Sequence, residues 1–172
     1  MFISTILISM LLNFTPDIEQ FPKWQRVLQE EVVVEPDKEF DGDMMQLLTN
    51  EHNSYKKYEY VEDAERYHMH DYWATRDEMK AKMCGDCEDF AIKSYFNLIE
   101  AGVKDEDLMI AIVFLYSTAE THAVLIVKNH YVLDCMNQKI VSVEQFYSNA
   151  KLIYGINRKG YFTPTTIPVE SN

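Results

Sequence analysis

Apolar residues follow two regimes along this chain, helical spacing over roughly the first hundred residues and near-continuous or alternating runs after them. Phe21, Trp24, Val27 and Leu28 recur at helical spacing after the turn signal Thr15-Pro16-Asp17. Met44, Leu47 and Leu48 resume that spacing beyond an acidic connection from Glu30 to Asp43, which contains Pro36 and Gly42. Tyr55 to Tyr72 is crowded with Tyr and His and its periodicity is poor. Thr75-Arg76-Asp77-Glu78 has the form of a capping box and predicts a short helix from Arg76 to Met83. A longer helix starts near Cys87: Cys87, Ala91, Ser94 and Leu98 share one side, Phe90, Phe96 and Ile99 fill the neighbouring sector, and Gly102 caps the end.

The second regime reads as a sheet. Leu108 to Tyr116 is an Ile- and Val-rich run of the kind expected from a strand covered on both faces. Thr121 to Lys128 and Tyr131 to Cys135 predict two more strands around Asn129-His130. A second capping-box form, Ser142-Val143-Glu144-Gln145, starts a short helix through Ser148; Lys151 to Ile156 supplies a last strand, with Gly155 as a bulge. Beyond Tyr161 the Thr- and Pro-rich tail is expected to be irregular. Helices first and an antiparallel sheet afterwards make the class α+β, with one domain over residues 15–162 between an apolar segment, 1–14, and a tail, 163–172.

Composition narrows the partners. The 172 residues are 47% hydrophobic, enough for one sizeable core. A net charge of -12 repels the phosphates of nucleic acid, so none is expected as a partner. Three cysteines, Cys84, Cys87 and Cys135, are too few for a disulfide framework, and at least one thiol is free. Met1 to Leu12 is apolar but shorter than the ~20 residues of a membrane-spanning helix. It has the length of a signal-peptide core without a basic start, which leaves compartment and membrane association open.

The candidate chemistry centres on Asp86-Cys87-Glu88-Asp89. A helix N-terminus favours a thiolate at Cys87, whereas Asp86, Glu88 and Asp89 oppose it by charge. That conflict calls for a cation, an imidazolium or a metal ion. His122 opens one predicted strand and Asp134 closes the next, in positions for a base and the group that orients it. The hairpin between them decides whether the two can meet. A two-residue Asn129-His130 turn would pair Lys128 with Tyr131 and set Asp134 opposite Leu125, on the face away from His122. A three-residue loop sets Asp134 opposite Val124, diagonal to His122 on the same face. His68-Met69-His70 offers two histidines at i and i+2, a metal pattern that equally suits packing residues beside Tyr67 and Tyr72. Cys84-Gly85-Asp86-Cys87 is also a Cys-x-x-Cys, read as a dithiol redox site, as a disulfide that blocks the thiol, or as a zinc half-site completed by Cys135 or a histidine.

Taken in order, these motifs resemble the bacterial transglutaminase-like cysteine proteinases. The resemblance runs from Phe21 to Asn137 and is sharpest in Asp71-Tyr72-Trp73-Ala74-Thr75, Gly85 to Ile92 with Tyr95-Phe96, His122-Ala123-Val124-Leu125 and Val132-Leu133-Asp134. It implies a papain-like, transglutaminase-type fold with Cys87 as nucleophile, His122 as general base and acid, and Asp134 as the orienting group. It also implies calcium (Ca2+) bound by Asp86, Glu88 and Asp89, where the ion would neutralise the charge beside the thiol. Further implications are a protein or peptide substrate cut near small residues in an exposed linker, such as that of a surface adhesin, and a regulatory protein partner. Acyl transfer to an amine in place of water is the alternative within the same fold. The sequence departs from the family in the compressed stretch at Lys128-Asn129-His130.

Overall fold

The computed structural model describes residues 12–165. The chain runs β1 (Leu12–Thr15), α1 (Pro22–Glu30), α2 (Met44–Ser54), β2 (Glu59–Tyr60), α3 (Asp63–Arg66), α4 (Arg76–Lys82), β3 (Cys84–Gly85) and α5 (Cys87–Glu100). It continues β4 (Leu108–Leu115), β5 (Glu120–Val127), β6 (Tyr131–Leu133), β7 (Val141–Ser142), α6 (Val143–Tyr147), β8 (Ala150–Ile156) and β9 (Tyr161–Pro164). Seven strands form one antiparallel sheet in the order β1-β9-β8-β4-β5-β6-β7, and β2 and β3 form a separate parallel pair. The class is α+β, as the change in hydrophobic period predicts.

The central strand β4 is buried along its first six residues because both faces of the sheet are covered. Ile110, Ile112, Leu125, Val127 and Leu133 pack with Trp24 of α1 and with Ile92, Tyr95 and Phe96 of α5. Met109, Ala111, Val113, Val124, Ile126 and Val132 pack on the other side with Phe146 of α6. The continuous apolar run is thus one strand serving two cores. Gly102 ends the α5 segment at φ 96°, and a Cβ there would lie 2.7 Å from both Lys38 O and Phe40 N. Phe40 N–H donates to Gly102 O at 2.8 Å, which pins the acidic connection to the end of the helix.

Two expectations need correcting. The bulge falls at Ile153, because Ile112 pairs with Tyr154 while Val113 pairs with Leu152. Gly155 pairs regularly with Ala111 and instead makes room for Met109, whose Sδ lies 2.1 Å from where a Cβ would sit. Gly155→Ala is therefore expected to cost about 1–3 kcal/mol through overpacking, read as a lower urea midpoint at unchanged slope. The tail beyond Tyr161 is not irregular throughout: Tyr161 to Pro164 pair with Leu12 to Thr15, so tertiary pairing overrides a composition that disfavours strand. The apolar stretch Met1 to Leu12 lies outside the described residues except for Leu12. Among the described residues, no helix is long and apolar enough to cross a membrane.

Candidate active site

The nucleophile helix is aimed by what precedes it. The Thr75–Glu78 capping box starts α4, with Thr75 N–H donating to Glu78 Oε2 at 2.8 Å and Glu78 N–H to Thr75 Oγ1 at 3.3 Å. Met83 then stops that helix in the left-handed region at φ 53°, ψ 30°. β3 pairs at once with β2, so the chain enters α5 in a fixed direction and places Cys87 at its first residue. α5 lies across β5 and β4.

β6 is short, pairing with β5 only from Leu125 to Val127. The stretch of β5 from Glu120 to Val124 is left open on that side. Cys87 uses the opening: its sulfur accepts from the backbone N–H of Ala123 and its S–H donates to Glu88 Oε2 at 3.1 Å. His122, the residue before Ala123, lies with Nε2 2.8 Å from Asp134 Oδ1, and both side chains are buried. The hairpin makes this contact. Val127 pairs with Tyr131, leaving Lys128, Asn129 and His130 as a three-residue loop, with Lys128 and Asn129 at positive φ. This is the register that sets Asp134 diagonal to His122.

Asp134 is held from three further directions. Its Oδ1 accepts from Met136 N–H at 2.8 Å, its Oδ2 from Asn137 Nδ2 at 2.8 Å, and its main-chain carbonyl lies 3.0 Å from His52 Nε2. Asn137 was missed, although its place three residues after Asp134 is a local signal for an Asx turn. His52, in the last turn of α2, carries no local signal linking it to a residue 82 positions away.

Asp86, Glu88 and Asp89 gather with further acids that the sequence reading did not place there. Two overlapping clusters appear, Asp63 with Asp86 and Asp89, and Asp63 with Asp71 and Glu88, the carboxylate oxygens of each lying within 4.8 Å of one another. Asp63, shared by both, was missed, as was Asp71; each comes from the aperiodic tyrosine-rich stretch. Asp89 is already engaged: Oδ1 accepts from Ala74 N–H at 2.7 Å and Oδ2 from Arg66 Nη2 at 2.6 Å. It braces the helix start against α3, with Arg66 also donating to Cys84 O at 2.7 Å.

Burial sets the charge state of the group. Burial first, then Glu88 and Asp89, push the Asp86 carboxyl up to about 9. Burial raises Glu88 to about 7, and Asp89 to about 6 despite its arginine. The Cys87 thiol is driven far up, chiefly by burial and then by the Glu88 carboxylate. Asp63 Oδ1 and Asp86 Oδ1 are buried with no hydrogen-bond partner. An all-carboxylate donor set with orphaned oxygens fits a hard divalent cation such as calcium, with Asp63, Asp71, Asp86 and Glu88 as the residues that would hold it.

The remaining sequence candidates stand apart. His68 and His70 are exposed and belong to neither acidic cluster. Cys84, Cys87 and Cys135 are all free thiols, so Cys84 and Cys87 form no disulfide.

A cysteine heading a helix that lies across an antiparallel sheet marks the fold as transglutaminase-like, and likeness to solved structures agrees. EGTA-treated Legionella pneumophila LapG aligns with 74% of this chain and 70% of its own, at 26% identity and a TM-score of 0.65. The calcium-bound form of that protein covers 77% of each chain at 24% identity and a TM-score of 0.65. Comparison with curated protein sequences gave no match. The chain belongs to the bacterial transglutaminase-like cysteine proteinase family, whose pattern residues 27–151 match, and is a transglutaminase-like cysteine protease.

Proposed function

We propose that the protein is a calcium-dependent endopeptidase in which Cys87, His122 and Asp134 act as a triad. The observation that carries this reading is the buried 2.8 Å contact of His122 Nε2 with Asp134, one residue from the Ala123 N–H that touches the Cys87 sulfur. In the neutral ring that contact keeps the hydrogen on Nε2 and leaves Nδ1 as the base. Nδ1 takes the Cys87 proton, and the sulfur attacks a peptide carbonyl carbon. His122 then returns the proton to the leaving amine, and water activated by the same nitrogen cleaves the thioester. Backbone N–H groups at the start of α5 would receive the oxyanion.

Asp63, Asp71, Asp86 and Glu88 would hold calcium, which supplies the positive charge that offsets their repulsion of a thiolate at Cys87. Support comes from the orphaned oxygens and from the calcium-bound relative. The substrate is a protein, cut near small residues in an exposed linker of a surface protein such as an adhesin.

Mapping new protein N-termini after incubation with and without calcium tests this. Termini that arise only with calcium, and never with Cys87→Ala, are expected; calcium-independent cleavage, or label from an added amine in place of hydrolysis, would reject it. Asp134→Ala should lower kcat about 10²-fold by freeing the imidazole, with little change in KM.

A further inference from the structure

Cys135 follows Asp134 directly and has no part in the cleavage just described. Its Sγ, a ring nitrogen of His122 and a carboxylate oxygen of Asp134 all lie within 4.8 Å of one another. His122 and Asp134 are buried and Cys135 is half-buried. Sulfur, imidazole nitrogen and carboxylate oxygen are the three donor types that bind zinc, at bond lengths of about 2.0–2.3 Å. Ligand atoms around a tetrahedral ion at those lengths stand roughly 3.3–3.8 Å apart, so the 2.8 Å His122–Asp134 pair has to open by about an ångström or less, and the Cys135 sulfur has to close by little more than an ångström at most. The cluster around Asp63 offers only oxygen, whereas this one offers nitrogen and sulfur as well. The two therefore sort a hard cation from a borderline-soft one. Charge balances too: a divalent ion against one thiolate and one carboxylate, with a neutral imidazole, leaves the buried site with no net charge.

We propose that zinc binds to His122, Asp134 and Cys135, with water as fourth ligand, and in doing so switches the protease off. The inhibitory half rests on the reading of His122 as the catalytic base; the binding half does not. As sulfur binds zinc, the Cys135 thiol releases its proton to solvent. The hydrogen on His122 Nε2, which faces Asp134, is replaced by the metal, and the ring becomes neutral again by carrying its hydrogen on Nδ1. Nδ1 is then a donor and cannot accept the Cys87 proton. Inhibition follows from the tautomer alone, without contact between zinc and the nucleophile. Asp134 loses its orienting hydrogen bond in the same event.

Cobalt(II), which takes the same ligands and is coloured, reads the site without any need for activity. Calcium-loaded Cys87→Ala protein is titrated with cobalt(II), then with zinc. The expected result is a thiolate-to-cobalt charge-transfer band that saturates near about one equivalent and is displaced by zinc. The band should vanish in Cys87→Ala/Cys135→Ala. Its absence from the single variant, or its survival without Cys135, overturns the site. In the active enzyme Cys135→Ala should cleave as before while the zinc concentration for half-inhibition rises at least about tenfold. An unchanged zinc response overturns the switch. Cys135→Ser, close in volume, makes the same comparison where alanine impairs folding. A wild-type protein that binds cobalt through Cys135 but cleaves nothing would reject the protease reading and leave the metal site standing.

Discussion

Replacing Cys87 by alanine is expected to lower peptide-bond cleavage by about 10⁶-fold, the scale on which removing a nucleophile acts. The fold should survive. The thiol's polar contacts are with Ala123 N–H and Glu88 Oε2, and alanine keeps the helix start in its best-propensity residue. Stability is therefore expected to change by no more than about 1 kcal/mol, and calcium should still raise the melting temperature. Measuring kcat/KM alongside thermal unfolding separates the two. Residual cleavage within about tenfold of wild type would move the nucleophile elsewhere, whereas a collapsed fold would show in the melting curve.

Removing calcium, or the carboxylate of Asp86, should produce the second large effect. Each pKa unit added to a thiol removes about tenfold of its thiolate at a given pH, and burial, joined by the uncompensated acids, raises Cys87 far above neutrality. Chelation and Asp86→Asn are each expected to reduce cleavage by about 10³-fold. Asp86→Asn should also abolish most of the calcium-induced stabilisation, which amounts to about 2.7 kcal/mol at a hundredfold excess over Kd. The pH dependence has a definite sign. Asp86 at about 9 and Glu88 at about 7 sit above unfolded values of about 4, so the ion-free folded chain keeps protons that the unfolded chain has released. Its stability falls as pH rises through that interval. Calcium needs the ionised form, so the calcium-induced rise in melting temperature should be larger at about pH 8 than at about pH 5.5. A rise that shrinks toward alkaline pH would place the ion at other groups.

What could be read before the fold was known was whatever has a local cause. Two capping boxes marked helix starts at Thr75 and Ser142, and an unbroken apolar run marked β4. Parity along a hairpin tied the His122–Asp134 contact to a three-residue loop. The segment from Tyr55 to Tyr72 resisted reading because amphipathic periodicity is not what holds it. It is fastened by a two-residue strand, by the Arg66 guanidinium on Cys84 O and Asp89, and by Asp63 accepting from Tyr72 N–H. All but the last reach a different part of the chain. Asp63 and Asp71 stayed hidden for that reason, as did His52. Tyr161 to Pro164 becomes strand only because Leu12 to Thr15 offers it an edge.

That pairing of β1 with β9 sets how far the edge of the sheet stands from the candidate site. Leu12 lies across from Pro164, so the first and last strands of the described chain close one margin of the sheet together. Four strand-to-strand steps separate β1 from β5, about 19 Å at the usual spacing. Fraying at that margin therefore has four strands to cross before it reaches the strand that carries His122.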